Sequence, residues 1–287
     1  CCIIIQGPIK IEDNFTLETI KLYIKLHKNS LIILSTWSDT PEEILSVFRE
    51  LNIKLILNQK PQNPGWSHIN FQMLSVHSAI QYAKKMNLKY IAKTRTDCRV
   101  YSPVFLVYCK TILKQYPSYS NTKNRIISSD FSSKHMIYGL DDKFQFGFID
   151  EMEIFWNYVP WEDEIKNKFD NQKVINETPV VCEFFLTARY LKELNIFSKW
   201  DLSSWWLSLK NNFIIIDSSS IDLFFYKYDY YFEQRFYRAY GSEYQKSITY
   251  SDWLLLYSDI IPSWDFEDGK TIQRWKLDKF GEIKKIK

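Results

Sequence analysis

Short apolar runs alternate with amphipathic segments through the first third of this 287-residue chain, and this alternation restricts the fold more than any other feature. The runs are residues 2–5, 31–34, 53–57 and 89–94. Because each run is followed by a segment with helical apolar spacing, the pattern predicts βαβ units and a parallel sheet. Crossovers in such units are right-handed, and ligands bind beyond the carboxyl ends of the strands.

The helices are predicted from apolar spacing and from residues that favour helix starts. Pro41 and the acids after it suit a first helical turn, and Ser67 is predicted to cap the longest helix. The predicted helices cover residues 16–27, 41–51, 67–86, 104–115 and 180–194. Further strands are predicted at 125–129 and 214–216, with an antiparallel strand at 144–149. We therefore expect an α/β fold with a mostly parallel sheet flanked by helices.

Composition excludes several classes of protein. The chain has 46% hydrophobic and 25% charged residues, as in ordinary globular proteins, and its net charge of +3 is too small to predict a nucleic-acid partner. No run of about 18 apolar residues is present, so no membrane-spanning helix is predicted. The five cysteines are scattered without metal-type spacing, which favours reduced thiols. Since no secretion signal is recognisable, we expect a cytoplasmic protein.

The fourth apolar run ends in a mixture of charges, in the stretch YIAKTRTDCRV at residues 90–100. Lys93, Arg95 and Arg99 are cations, and Asp97 is the acid among them. Ending a buried strand in such charges is costly unless an anion or a metal ion binds there. If the chain stays extended to residue 99, strand alternation places all four charges on one face. The alternative is a structural cluster of ion pairs on an edge strand.

Other residues at the predicted strand ends belong to the same edge of the sheet. They are Gln6, Gly7, Ser35, Thr36, Trp37, Asp39 and Asn58. Asp39 also suits the cap of the next helix, and Trp37 suits packing at the sheet border as well as stacking on a ligand. Asn70 lies in the first turn of the longest predicted helix, where it could meet an anionic ligand or act as a cap.

Four segments carry a resemblance to a known family: IIIQGPI at 3–9, LIILSTW at 31–37, GWSHINFQ at 65–72 and YIAKTRTDCR at 90–99. Weaker similarity is found in GFIDEMEIFW at 147–156 and around Glu183. Together these segments resemble the WavE-type lipopolysaccharide-synthesis family of candidate glycosyltransferases. More distantly, the order of segments is similar to that of GT-A glycosyltransferases, in which a strand ends in an Asp-x-Asp motif. The resemblance implies a GT-A-like fold and a nucleotide-sugar donor.

Asp97 corresponds to the last acid of Asp-x-Asp, and the resemblance implies that it binds Mn²⁺ or Mg²⁺ on the donor diphosphate. Arg95 stands where the first acid would be, so Arg95 and Lys93 could instead neutralise the diphosphate directly. A missing metal ligand could come from Asp130 or from the pair at 141–142. The resemblance also implies donor contacts for Gln6, Gly7, Thr36, Trp37, Asp39 and Asn70.

A sugar transfer with inversion needs a base within hydrogen-bonding reach of the acceptor hydroxyl. Glu183, at the start of a predicted helix, is the first candidate, and Asp150 is the second. The preference of acids for helix starts would also explain Glu183. The four histidines have no paired spacing, so no zinc site is predicted.

We expect residues 1–220 to form the GT-A-like catalytic domain and residues 221–287 to form an aromatic-rich, mainly helical extension packed on it. The aromatic and charged residues after 223 could contact sugars or a membrane surface, or could form a packed layer. The predicted function is a glycosyltransferase that extends lipopolysaccharide, lipo-oligosaccharide or capsule, with a glycan or lipid-linked glycan as acceptor and peripheral contact with the inner membrane. The alternatives are a nucleotidyltransferase that makes an activated sugar and a non-catalytic nucleotide- or glycan-binding protein.

Overall fold

The structure is a computed structural model. It describes residues 1–118, 124–131, 137–161, 182–197, 199, 201–229, 247–260, 275–277 and 283–285.

Seven strands form one sheet at the centre of the described structure. They are β1 (Cys2–Gln6), β2 (Leu31–Trp37), β3 (Lys54–Asn58), β4 (Tyr90–Arg95), β6 (Ile126–Ser129), β7 (Gln145–Phe148) and β8 (Phe213–Ile216). Their order across the sheet is β3-β2-β1-β4-β7-β6-β8. Neighbouring strands are parallel except at β7, which is antiparallel to both β4 and β6. The antiparallel strand that the sequence predicts is therefore confirmed.

Helices cover the sheet. They are α1 (Phe15–Leu26), α2 (Glu42–Arg49), α3 (Ile69–Lys85), α4 (Phe105–Gln115), α5 (Ile149–Phe155), α6 (Cys182–Glu193), α7 (Leu202–Asn212), α8 (Tyr226–Asp229) and α9 (Tyr250–Tyr257). The mostly parallel sheet with flanking helices confirms the expected α/β architecture. No helix among the described residues has the length and apolar character that crossing a membrane requires.

The strand order reverses between β1 and β4. The chain steps outward from β1 to β2 and β3, then returns to the other side of β1 as β4. Because these crossovers are right-handed, the reversal places α3 on the face opposite to α1 and α2. In open α/β sheets the crevice for a ligand lies at such a reversal point, beyond the carboxyl ends of the strands. The ends of β1 and β4 therefore mark the candidate site.

The chain does not stay extended through the charged stretch after β4. The strand ends at Arg95, a turn follows at 96–97, and β5 (Cys98–Val100) leaves the main sheet. This short strand pairs antiparallel with β9 (Leu223–Phe225). The condition for four charges on one face is thus not met, because the turn redirects the chain after Arg95.

Arg99 shows the effect of this turn. Its Nε donates to Thr19 Oγ1 at 2.8 Å, and its Nη2 donates to the Phe15 carbonyl oxygen at 2.9 Å. The guanidinium also lies 4.4 Å from the Phe15 ring centroid. Arg99 therefore fastens β5 to α1 and does not join the other charges.

Asp39 does not cap α2, and Ser67 does not cap α3, so both expected helix caps are wrong. Pro41 occupies the N-cap position of α2, and no side chain caps that helix. Residues 66–68 form a separate short helical turn, and α3 begins only at Ile69. Ser67 and His68 lie in this turn at positive φ angles of 49° and 62°, so Ser67 does not have the extended backbone of an N-cap.

The part of the chain after residue 221 contributes directly to the described structure. It supplies β9, α8 and α9, and also β10 (Trp275–Leu277) and β11 (Ile283–Lys285), which pair with each other. The pairing of β9 with β5 attaches this part next to the end of β4. A domain boundary near residue 220 stays a prediction.

Candidate functional site

The loops after β1 and β4 are tied together at the reversal point of the sheet. Thr96 N donates to the Gln6 carbonyl oxygen at 3.0 Å, and Thr96 Oγ1 donates to the Pro8 carbonyl oxygen at 2.6 Å. Gly7 has a φ of +120°, and a Cβ there would lie 3.0 Å from Thr96 Oγ1. This close approach and this backbone conformation both call for glycine.

Gln6 is 4% exposed at the end of β1. Its Oε1 accepts a hydrogen bond of 2.9 Å from Ser75 Oγ of α3, and Ser35 of β2 donates to the Ser75 carbonyl oxygen at 2.7 Å. Within the described part of the chain, no acceptor bonds to Gln6 Nε2. The side chain is thus fixed by its oxygen and keeps its amide donors for another group.

Arg95 and Asp97 form a two-pronged ion pair at the end of β4. Arg95 Nε and Nη2 donate to the two carboxylate oxygens of Asp97 at 2.9 and 3.1 Å, and the side chains are 26% and 22% exposed. The Asp142 side chain is 2% exposed, and its Oδ2 lies 3.6 Å from Arg95 Nη1. Burial alone would lower the pKa of Arg95, but the carboxylates of Asp142 and Asp97 raise it. The guanidinium is therefore a permanent positive charge that solvent can reach.

Lys93 is fully buried. Its Nζ donates to the Asp142 carbonyl oxygen and lies 4.5 Å from the ring centroid of Trp156. Burial lowers the pKa of Lys93 although the Asp142 carboxylate acts in the opposite direction. The structure thus does not place Lys93 where a donor would meet it; the lysine compensates the buried charge of Asp142.

The loop before β7 adds a second accessible cation. Because β7 is antiparallel to β4, this loop lies beside the carboxyl end of β4. Lys143 Nζ pairs with Asp141 Oδ1 at 2.7 Å, and the lysine side chain is 13% exposed. Burial alone would lower the pKa of Lys143, but the carboxylates of Asp141 and Asp142 raise it. Lys143 therefore carries its charge at the same edge as Arg95.

Phe225 of β9 lies close to both of these cations. Its ring centroid is 5.4 Å from Arg95 Cζ and 5.5 Å from Lys143 Nζ. Phe131 contacts Lys143 as well, at 4.5 Å. An aromatic face attracts a nearby cation, so Phe225 helps to hold both charges in place.

Glu183 reaches the same edge from the first turn of α6. Its side chain is partly buried, and its carboxylate contributes to the raised pKa of Lys143. The structure therefore brings this candidate base near Lys143.

Asp150 lies at the opposite edge of the sheet. It is exposed in the first turn of α5, and the preceding Ile149 donates its backbone N–H to the Lys89 carbonyl oxygen at 3.0 Å. Lys89 directly precedes β4, whereas Arg95 ends it. Since β7 runs antiparallel to β4, a residue just after β7 falls at the wrong end, and the structure does not bring Asp150 to the candidate site.

Asn70 is 1% exposed and uses its amide to join two segments. Its Nδ2 donates to the carbonyl oxygens of Asn63 and Trp161, both at 3.1 Å. Its Oδ1 accepts from Trp161 N at 2.6 Å. With the amide engaged on both sides, Asn70 acts as a structural link between the loop after β3 and Trp161, not as an open donor contact.

The residues at the end of β2 differ in accessibility. Thr36 is buried, and Trp37 is 5% exposed with its ring centroid 5.2 Å from that of Phe71. Asp39 has a 60% exposed side chain and pairs with Lys60 at 2.7 Å. Packing therefore describes Trp37 better than stacking on a ligand, and Asp39 keeps an exposed carboxylate.

The carboxylates that the structure describes do not fit a preformed Mn²⁺ or Mg²⁺ site. No three acid, histidine or cysteine side chains among the described residues are arranged to hold a metal ion. Both oxygens of Asp97 bind Arg95, and Asp141 pairs with Lys143. The pKa of Asp142 is lowered because nearby cations outweigh its burial. A hard cation requires several oxygen ligands, whereas these carboxylates are already paired with cations.

Asp130 is a buried carboxyl at the end of β6. It accepts a hydrogen bond of 3.1 Å from Ser218 N and is 8% exposed. Burial raises its pKa from the ordinary value of 3.8 to about 6. Asp130 therefore changes its charge close to neutral pH.

Lys143 and Phe225 are the residues of this edge that our sequence reasoning missed. The predicted antiparallel strand at 144–149 contained a signal for Lys143, since the residues just before an antiparallel strand must lie at the carboxyl end of the parallel strands. Phe225 has no local signal, because its position depends on the pairing of β9 with β5 across more than 120 residues.

Solved structures with a similar arrangement include three of low sequence identity. A 4-diphosphocytidyl-2C-methyl-D-erythritol synthase from Anaerococcus prevotii is 12% identical over 60% of this chain and 83% of that chain, with a TM-score of 0.36. A glycosyltransferase involved in the glycosylation of the major capsid of PBCV-1 is 13% identical over 62% and 78%, with a TM-score of 0.31. A mannose-1-phosphate geranyltransferase from Thermus thermophilus is 12% identical over 71% and 66%, with a TM-score of 0.27. At these TM-scores none of them carries an argument about function.

Comparison of the sequence with known families identifies the family of this chain, which the solved structures do not. No curated protein sequence matches this chain. The sequence pattern described as WavE lipopolysaccharide synthesis matches residues 1–280, which is nearly the whole chain. The chain therefore belongs to the WavE lipopolysaccharide synthesis family.

Proposed function

We propose that this protein is a glycosyltransferase that moves a sugar from a nucleotide-sugar donor to a growing surface glycan. Membership of a lipopolysaccharide synthesis family supports a role in glycan assembly. The observation that carries the proposal is the accessible guanidinium of Arg95 at the reversal point of the sheet, held by Asp97 and backed by the buried Asp142.

Arg95 suits the leaving group of such a reaction. In sugar transfer, negative charge builds on the departing diphosphate, and donors fixed in advance at that position lower the barrier. A guanidinium binds phosphate oxygens through several parallel N–H groups. Because Asp97 fixes the plane of the Arg95 guanidinium, little reorganisation is needed when the charge develops.

The ends of β1 and β2 are the proposed nucleoside site. Gly7 allows the loop after β1 to pass close to Thr96, next to Arg95. Gln6 keeps its Nε2 donors for a ligand, and Asp39 has an exposed carboxylate that could accept from a ribose hydroxyl. These three residues remain our proposed donor contacts.

Glu183 is the proposed base in a transfer with inversion. The acceptor hydroxyl gives its proton to the Glu183 carboxylate while its oxygen forms a bond to the anomeric carbon. The bond from that carbon to the diphosphate oxygen breaks, and its electron pair leaves with the diphosphate. The place of Glu183 in the first turn of α6, near Lys143, supports this role.

A glycan or lipid-linked glycan is the proposed acceptor. A lipid-linked acceptor would bring a cytoplasmic enzyme into peripheral contact with the inner membrane. The aromatic side chains of the C-terminal part, of which Phe225 reaches the edge, are suited to contact sugars.

The test is turnover of a panel of nucleotide sugars, measured as release of nucleoside mono- or diphosphate with and without glycan acceptors. We expect turnover of at least one donor. We expect Arg95→Lys to reduce kcat/KM by about tenfold or more, because lysine lacks the parallel N–H groups with which a guanidinium binds phosphate oxygens. Arg49→Lys is the matched control, since Arg49 forms an exposed ion pair with Glu42 on α2.

Failure of every donor in the panel would contradict the proposal. Full activity of Arg95→Lys would remove Arg95 from its proposed role. Release of pyrophosphate from a nucleoside triphosphate and a sugar phosphate would instead identify a nucleotidyltransferase, and binding of donors without turnover would identify a binding protein.

A further inference from the structure

We propose that Arg95 and Lys143 form a two-cation clamp that holds the donor diphosphate without a divalent cation, with Asp97 as the positioning residue of Arg95. This inference rests on the proposed function, because it specifies how the same site would bind its donor. Under this inference Asp97 positions Arg95 and does not bind the metal ion that the family resemblance implies.

The two cations come from different segments, the end of β4 and the loop before β7, and share several neighbours. Both lie within 5.5 Å of the Phe225 ring centroid, so their charged groups are at most about 11 Å apart. Both act on the pKa of Asp142, and both act in the same direction on the buried thiol of Cys98. Their charges therefore converge on one part of the edge.

Both cations keep hydrogen-bond donors for a ligand. A guanidinium has five N–H groups and an ammonium has three. Arg95 uses two of its groups on Asp97, and the structure shows one hydrogen-bond acceptor for the Lys143 ammonium, Asp141 Oδ1. The side chains are 26% and 13% exposed. A diphosphate has oxygens on two phosphorus atoms, which makes it a suitable bridge between two separate cations.

The pairing of Asp97 argues against its use as a metal ligand. A metal ion on either oxygen would displace a hydrogen bond from Arg95. It would also place two positive charges beside the guanidinium, and the resulting repulsion is large where water is partly excluded. By contrast, a diphosphate near Arg95 leaves the ion pair intact.

Lys93 does not compete for this role. It is fully buried and donates to the Asp142 carbonyl oxygen, so its charge compensates that of Asp142 and is not accessible to a ligand from solvent. Lys143, on the accessible side, is thus the second cation.

The test measures binding of inorganic pyrophosphate and of UDP, GDP, CDP and ADP by calorimetry, in EDTA and again with Mn²⁺ or Mg²⁺. We expect pyrophosphate and at least one nucleotide to bind in EDTA. We expect Lys143→Gln to weaken both by about tenfold or more, as for loss of a charge-assisted contact, and Lys143→Arg to retain binding. Lys89→Gln is the matched control, because Lys89 is also a lysine over aromatic rings, at the opposite edge of the sheet.

A folding defect can be separated from a binding defect. Lys143→Gln breaks the ion pair with Asp141, so the double variant Lys143→Gln with Asp141→Asn removes both charges together. We expect the double variant to unfold close to the wild-type temperature and to bind pyrophosphate as weakly as Lys143→Gln. Unchanged binding in the folded double variant would overturn the clamp.

The results also separate the clamp from the proposed function. The clamp is wrong if EDTA abolishes pyrophosphate binding by the wild type, or if Lys143→Gln binds pyrophosphate normally. If nucleotide sugars are still turned over in either case, the proposed transferase function stands. If pyrophosphate binding depends on Lys143 but no nucleotide sugar reacts, the clamp stands and the transferase fails. If neither pyrophosphate nor any nucleotide binds the wild-type protein, the clamp is wrong.

Discussion

Arg95 and Asp97 lie two residues apart across the turn after β4, and the guanidinium of one holds both carboxylate oxygens of the other at 2.9 and 3.1 Å. The resemblance to GT-A sequences implies that this arginine stands where the first acid of an Asp-x-Asp motif would be. This one replacement converts the remaining acid from an available ligand into the partner of a cation. A paired guanidinium at this edge is the basis of our proposal that the edge binds an anion and not a metal ion.

Replacing Asp97 tests whether it positions Arg95. We expect Asp97→Ala to lower nucleotide-sugar turnover by about tenfold or more with folding intact, because Arg95 loses both charged hydrogen bonds that fix its plane. Asp97→Asn keeps one acceptor oxygen and should lose less. The measurement is kcat/KM for both variants, with and without EDTA. If both variants lose turnover completely and EDTA also inhibits the wild type, Asp97 is a metal ligand instead.

Replacing Lys93 tests its structural role. We expect Lys93→Met to lower the free energy of unfolding by about 3–5 kcal/mol, because the buried Asp142 loses a compensating charge. The double variant Lys93→Met with Asp142→Asn should recover much of this loss. Denaturant unfolding measures the effect, and Lys60→Met, an exposed lysine, is the control. A stable Lys93→Met protein that fails to bind nucleotide would instead identify a donor contact.

Replacing Asn70 tests the link between the loop after β3 and Trp161. Asn70→Ala removes three hydrogen bonds and leaves buried backbone groups of Trp161 without them. We expect a loss of about 2–4 kcal/mol in the free energy of unfolding. The exposed Asn52→Ala is the control. If Asn70→Ala is as stable as the control but has a raised KM for the donor, a direct donor contact is indicated.

Asp130 predicts a specific dependence of stability on pH. Its pKa is about 6 in the folded protein and near 3.8 when unfolded, so between these values the folded state binds more protons. Stability from this group therefore falls as pH rises from about 4 to about 6, by about 3 kcal/mol. The stability of Asp130→Asn relative to wild type should rise by this amount between pH 4 and pH 7.

Denaturant unfolding of both proteins across this pH range gives the difference, in which the other carboxyl groups largely cancel. Asp259→Asn is the control, because the Asp259 side chain is 83% exposed. A difference between Asp130→Asn and wild type that does not change with pH would contradict the raised pKa.

The strand ends were the part of the site that sequence could predict. A parallel sheet gathers the carboxyl ends of its strands at one edge, so Gln6, Gly7 and Arg95 could be placed together from the βαβ pattern alone. The pattern could not tell which side chains at those ends are free. Trp37 packs on Phe71, and Asn70 is bonded to Trp161. Both outcomes depend on partners distant in the sequence.

By itself the sequence determined the sheet, because the spacing of apolar residues dictates which segments are strands and which face of each helix is buried. Only the tertiary structure decided which charges meet at its edge. The turn after Arg95 directs Arg99 away from the candidate site. Because β7 is antiparallel to β4, Lys143 lies beside the end of β4 and Asp150 lies at its start. The pairing of β9 with β5 places Phe225 next to the two cations. Local pattern fixes local conformation, whereas the meeting of charges depends on contacts between segments far apart in the chain.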